Sequence, residues 1–331
     1  MRALLYEGRG TWGGSRRMIW LLFRVLGEVL GSRCVLVCGS AGWLKARLDE
    51  EGAQYVWLEE GAAFHSLGHS VLHGSRGTLL VTLLRSIPHL LKVWVLVLRV
   101  RPSLVILCES RDLLLLWPAL ARRGARSVFV SGTEVEMRSR PSRLAIRAVD
   151  RVWAISEPVQ DALIAAGVPR RKIDVLPPLV DEVSDRFARA HRFHLHRELG
   201  LDPRTPIVGI VGSIRPEKGQ MIAVRALPAV LAANPEVRLV VVGVPMASHP
   251  EAERYLASVR QEVHDLHLAD RALFLGWRED VLEVMCGLTV VLMPSEFEGR
   301  PFVALDALRL GVPIVGHDIP SLREVIVPGS T

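Results

Sequence analysis

Two successive α/β domains of Rossmann-like type are the fold this sequence predicts. Short apolar runs without polar alternation recur between helix-like stretches, the signature of parallel strands buried on both faces. The pattern stops at a polar segment rich in arginine and histidine and then starts again. At 331 residues, half of them apolar, the chain is also too long for one small core.

The elements follow in order. "RALLY" is the first strand, followed by a glycine-rich loop, the helix "SRRMIWLLFRVLGEVL" and the strand "RCVLVC". "QYVWL", "SLVILC", "SVFVSG", "RVWAIS" and "IDVLPP" continue the first domain, which spans residues 1–178. Residues 179–205, including "ARAHRFHLHRELGLDPRT", read as a connection in which His191, His194 and His196 are solvated. The alternation resumes in residues 206–331 with the strands "PIVGIVGS", "VRLVVVGV", "ALFLGW", "LTVVLMPS" and "VPIVGH". Two such units are expected to face each other across a cleft.

Charge and cysteine usage narrow the function classes. The formal charge of +6 is carried almost wholly by arginine, with lysine only at positions 45, 92, 172 and 218, and it is spread along the chain. Such a charge suits a nucleic acid, an anionic lipid surface or a phosphorylated ligand, but spread in this way it is a weak signal, and no nucleic-acid partner is expected. Cys34, Cys38, Cys108 and Cys286 lack the spacing of a zinc site, and the N-terminus lacks the long apolar run of a signal peptide, so a reducing cytoplasmic setting is expected. In "LLVTLLRSIPHLLKVWVLVLRV", Arg85, Lys92 and Arg99 argue against a membrane span. Two readings stay open for it: a core helix with a solvated basic stripe, or an amphipathic face resting on anionic lipid. His65, His69 and His73 are four apart but no carboxylate accompanies them, so no metal site is expected.

Two segments carry the chemistry. "VGSIRPEKGQMIAVRAL" runs from a strand through Gly212 to Lys218 and Gly219 and into a helix. In such a turn glycine lets the backbone approach a ligand and lysine supplies charge for a phosphate. "EGRPFVALDAL" places Glu298 in a loop at the carboxyl end of a buried strand. Pro301 is expected at the first helical position and Gly311 just past the helix end. Glu298 could be a capping acid. Asp306 lies on a largely apolar helix and must be paired, either with Arg309 or with the neighbouring hydroxyls of a ribose. A diphosphate held by Lys218 and the helix start, with one polyol at Asp306 and another at Glu298, describes a nucleotide sugar.

These residues resemble the family 4 glycosyltransferases, retaining enzymes of the GT-B architecture. The family's two glutamates, seven residues apart in an E-G-F-G-L-x-x-L-E-A-type segment, are similar to Glu298 through Ala307. Its G-R-L-x-x-x-K-G segment is similar to "GSIRPEKG", and its N-terminal glycine pair to Gly13 and Gly14. The resemblance implies a transferase that moves a sugar from a nucleoside-diphosphate sugar to a hydroxyl acceptor, a lipid-linked saccharide or a cell-surface polysaccharide, with retention. It implies no cofactor and no metal, because cations and helix dipoles stabilise the leaving diphosphate.

The resemblance also assigns roles. Lys218 would contact the diphosphate and Glu298 the transferred sugar, making these the two catalytic candidates. The amides of Arg300, Pro301, Phe302 and Val303 would lie along sugar and phosphate, Asp306 would take the ribose, and Gly13 and Gly14 would close over the donor. Departures from the family pattern are Ser213 where an arginine is usual, Ser131 where a histidine is usual, Asp306 as the second acid, and an end at "EVIVPGST" short of the family's last elements. Arg215 and Arg300 are the candidates to replace the missing cation. Two other readings remain, a catalytically silent binder of nucleotide or saccharide and a GT-B sugar-phosphate synthase or nucleotide-sugar epimerase. An enzyme of this kind would sit in the cytoplasm or on the inner membrane face.

Overall fold

The computed structural model describes residues 1–7, 14–39, 41–59, 76–109, 112–113, 116, 124–132, 140–180, 183–245, 251–327 and 329. They form two compact units, Met1–Leu179 and Val180–Thr331. Each is an α/β unit on a fully parallel sheet.

The first unit contributes β1 (Ala3–Glu7), β2 (Cys34–Cys38), β3 (Val56–Trp57), β4 (Leu104–Leu107), β5 (Arg126–Ser131), β6 (Arg151–Ala154) and β7 (Ile173–Val175), in the spatial order β3-β2-β1-β4-β5-β6-β7. Every residue of β1 is buried, as expected of a central strand covered on both faces. The helix Gly14–Leu30 packs Met18, Ile19 and Trp20 into this core. The end of β1 is charged. Glu7 and Arg16, each no more than 3% exposed, form an ion pair with 3.8 Å between Oε1 and Nε. Burial pulls the Arg16 guanidinium down from its ordinary value, and attraction from Glu7, Cys38 and Glu109 opposes that pull.

The helix Arg76–Val100 runs the full predicted length with Pro88 inside it. Its Ser86, His89, Val93 and Val97 face the core, and His89 Nε2 lies 3.1 Å from the Tyr6 hydroxyl. Among the described residues no helix is long and apolar enough to cross a membrane.

The second unit contributes β8 (Ile207–Val211), β9 (Arg238–Val242), β10 (Ala272–Gly276), β11 (Val290–Met293) and β12 (Ile314–Gly316), ordered β10-β9-β8-β11-β12. Its side chains alternate between two apolar layers. Val240 and Val242 pack with Leu195, Val284, Ala304 and Ala307, while Leu239 and Val241 pack with Ile210, Val224, Val259 and Val263.

The histidine-rich segment departs from its expected solvation. It forms the helices Asp185–His191 and His194–Leu199, and Leu195 is fully buried in the second unit. His196 is only 5% exposed, with Nε2 2.9 Å from the Thr205 carbonyl. The cause is the spacing of Leu195 and Leu199, one helical turn apart, which presents an apolar edge to the sheet. His194 Nε2 lies 3.2 Å from Asp280 Oδ2, and Arg278 donates to both Glu198 and Asp280.

The hydrogen bonds from Arg278 hold the Glu198 and Asp280 carboxyls below the usual carboxylate range. Groups whose folded value is depressed stabilise the fold above their unfolded value and lose that contribution as pH falls through the folded one. Acid titration of the whole chain should therefore show Arg278→Ala unfolding at a higher pH than the parent, with the two converging only once both carboxyls are protonated.

Candidate functional site

In the second unit the strand order reverses between β8 and β11, which lie side by side with Val290 opposite Val208 and Val291 opposite Gly209. Chain connections leave such a pair in opposite directions, so the loops beyond their carboxyl ends open a crevice where α/β sheets hold ligands. Those loops, residues 212–219 and 294–301, are the two segments that carried the chemistry in the sequence.

They are held close together. Gly219 adopts φ 74°, and a Cβ there would stand 2.4 Å from the Pro294 carbonyl oxygen, so only glycine permits this approach. The Glu296 amide donates to the Glu217 carbonyl at 2.9 Å, a backbone tie between the loops.

Lys218 and Glu298 meet as a consequence. Nζ lies 2.5 Å from Glu298 Oε1, and the Ser295 hydroxyl donates to the same oxygen at 2.8 Å. The side chains are 17% and 9% exposed, so a cation and a carboxylate are fixed in a site that excludes most water. The helix Phe302–Leu310 begins after Pro301, which is its N-cap rather than its first residue and makes no side-chain cap bond. The first N–H groups of a helix have no acceptor within it, and the Val303 amide is among them.

The remaining residues divide by their partners. Gly212 leaves β8 at φ 146°, and the Ser213 carbonyl accepts from Gln220 Nε2 at 3.1 Å. Arg300 Nη1 donates to Glu324 Oε2 at 2.8 Å. The Arg215 guanidinium has no partner among the described residues, and its Nε is buried. Asp306, 4% exposed, accepts from Arg309 Nη1 at 2.8 Å, so of its two predicted partnerships the one with Arg309 is formed.

In the first unit, Gly14 starts the helix Gly14–Leu30 and Ser131 is the fully buried last residue of β5. Gly13, like His65, His69 and His73, lies outside the described residues.

Sequence reasoning missed several supporting groups. Ser295 orients Glu298 and directly follows the strand end, a position that could have pointed to it. Gln220, 1% exposed at the start of the helix Gln220–Ala233, braces the Lys218 loop. The Tyr255 hydroxyl, whose pKa burial pushes up, accepts from the Met221 amide at 3.0 Å across 34 residues, a spacing with no sequence signal. His194, Glu198 and Asp280 bring metal-type donor atoms within 4.8 Å of one another, but Arg278 already serves both carboxylates.

Comparison with known proteins bears on this geometry. The model of the family described as Glycosyltransferase Family 4 matches residues 12–183, just over half of the chain. The chain belongs to glycosyltransferase family 4. The model of Glycosyl transferases group 1 matches residues 192–331, the unit that holds Lys218 and Glu298.

Among relatives of this family 4 chain, the D-inositol 3-phosphate glycosyltransferase of Nocardia farcinica is 31% identical over 56% of the chain and 41% of its own length. The lipopolysaccharide core biosynthesis mannosyltransferase LpsB of Rhizobium meliloti is 28% identical over 64% of the chain and 57% of its own length. The chain thus spans about half the length of these curated relatives. Of solved structures, Anabaena Alr3699/HepE in complex with UDP and glucose superimposes with a TM-score of 0.78 at 22% identity, covering 99% of this chain and 84% of that one. The sucrose-phosphate synthase of Thermosynechococcus elongatus gives 0.72 at 17%, covering 99% and 84%. The fold is that of the GT-B glycosyltransferases: two Rossmann-like units on parallel sheets.

Proposed function

We propose that this protein transfers a sugar from a nucleoside-diphosphate sugar to a hydroxyl acceptor, with retention. The observation that carries the reading is the meeting of Lys218 and Glu298 at the strand-order reversal, 80 residues apart in sequence. A diphosphate at Lys218 and the positive end of the helix Phe302–Leu310 would find its charge compensated without a metal. Glu298 would then face the hydroxyls of the transferred sugar and Asp306 those of the ribose.

Relatives named for inositol phosphate and lipopolysaccharide core support a phosphorylated or lipid-linked saccharide, or a cell-surface polysaccharide, as acceptor class. Such acceptors would be met at the cytoplasmic face of a membrane. The Anabaena protein of the same fold was solved with UDP, so uridine donors head the panel to be tried.

The cation that the family places at Ser213 has one available replacement. Arg300 is engaged by Glu324, whereas Arg215, in the Lys218 loop, has a guanidinium with no described partner. Thermal shift of the whole chain with UDP, GDP, ADP and their sugar conjugates tests the donor. Stabilisation by one base is expected, reduced in Arg215→Ala and retained in Arg300→Ala; no stabilisation by any nucleotide would remove the donor reading. Ser213 and Ser131 also favour a silent binder. Donor binding without transfer or slow donor hydrolysis would select it.

A further inference from the structure

The helix Arg76–Val100 is built inside out for a surface helix. Val81, Leu84, Ile87, Leu91, Val95 and Leu98 are each between 42% and 57% exposed. At 100° per residue they occupy an arc of about 120° centred on the outward face, where an ordinary surface helix is polar. Arg85, Lys92 and Arg99, all exposed, follow Leu84, Leu91 and Leu98 and form a row along one shoulder of this stripe. The helix carries no acidic residue. An apolar ridge with a cationic border and no counter-charge matches the boundary between lipid headgroups and acyl chains.

A second copy of the chain fits this face poorly. In an antiparallel pair, equivalent shoulders of two helices come together. The seven-residue spacing centred on Lys92 then sets Lys92 against Lys92 and Arg85 against Arg99. A parallel pair sets the cations against the apolar border. Both arrangements oppose like charges or desolvate them against carbon.

We infer that the outward face of this helix docks the protein in the plane of an anionic lipid bilayer, with the six apolar side chains inserted and the three cations at the phosphates. This deepens the proposed function by naming the surface on which a lipid-linked acceptor would be met, and only that consequence rests on the transferase reading; attachment itself does not require a donor.

Co-sedimentation of the whole chain with vesicles of pure phosphatidylcholine and with vesicles of mixed phosphatidylcholine and phosphatidylglycerol tests it. The parent should partition onto the anionic vesicles and be released by salt. Replacing one cation by glutamine should weaken partitioning by roughly fivefold, and the triple variant R85Q/K92Q/R99Q by about a hundredfold. The pair Leu84→Ser and Leu91→Ser should also detach the protein while leaving its melting temperature and nucleotide-induced stabilisation unchanged. Equal partitioning onto neutral and anionic vesicles, or none onto either, overturns the inference. So does a dimer that the leucine pair converts to monomer without any change in vesicle binding, which would assign the face to a second copy. Docking that persists in a protein with no nucleotide affinity would refute the donor reading and leave this one standing.

Discussion

Replacing Lys218 by alanine is expected to weaken binding of a nucleoside diphosphate by about tenfold to a hundredfold, the usual worth of a hydrogen bond to a charged group. The Gly219 turn and the backbone tie from Glu296 to Glu217 fix the loop that carries this ammonium. Glu298→Ala should act differently. The cation remains, and affinity for the bare nucleoside diphosphate is retained, but the advantage of the sugar conjugate over the bare nucleotide is lost and turnover falls. Each substitution leaves its partner in a largely water-excluded site, so the melting temperature of both variants should drop. Calorimetric titration with matched nucleotide and sugar nucleotide separates the two effects, because a purely structural role would lower both affinities together.

The largest expected effect on stability lies at the other sheet. Glu7→Ala would leave the Arg16 guanidinium, 2% exposed, beside a removed counter-ion. Breaking a buried pair by removing one partner costs about 3–5 kcal/mol, and the attraction from Glu109 places the expected loss toward the lower end. Replacing both partners by apolar residues of similar volume, Glu7→Leu with Arg16→Met, should recover most of that loss, since the buried charge deprived of Glu7 rather than the missing bond is the main cost. Denaturant midpoints of the parent, the single and the double variant check the ordering.

Physical reasons decide which features could be read from the sequence. The strands were legible because the central ones are buried on both faces and therefore carry unbroken apolar runs, as in Ala3–Tyr6 and Leu239–Val242. The weakest, "QYVWL", shrinks to Val56–Trp57 at the sheet edge, where only one neighbour supplies hydrogen bonds. Lys218 and Glu298 were legible as site residues from their loops. Their direct contact was not, because it depends on β8 and β11 being neighbours, a matter of strand order that no local pattern records. Asp306 shows the same limit. Burial required a partner, but the sequence left Arg309 and a ribose both open, and only the i,i+3 geometry of the folded helix shows the bond to Arg309.

The basic row at Arg85, Lys92 and Arg99 was visible from its spacing. That the apolar residues beside it face outward was not, since a helix with leucine on nearly every side does not reveal which face the sheet takes. In the histidine-rich segment, composition suggested solvent and one leucine pair decided otherwise.

The crevice above β8 and β11 as a nucleoside-diphosphate sugar site is tested most directly by calorimetric titration of the parent and of a Lys218→Ala, Glu298→Gln double variant with the nucleotide that stabilises the parent. Saturable one-to-one binding to the parent, weakened by about tenfold or more in a folded double variant, is the predicted result. Equal affinity in the two proteins would place the nucleotide elsewhere and contradict the account.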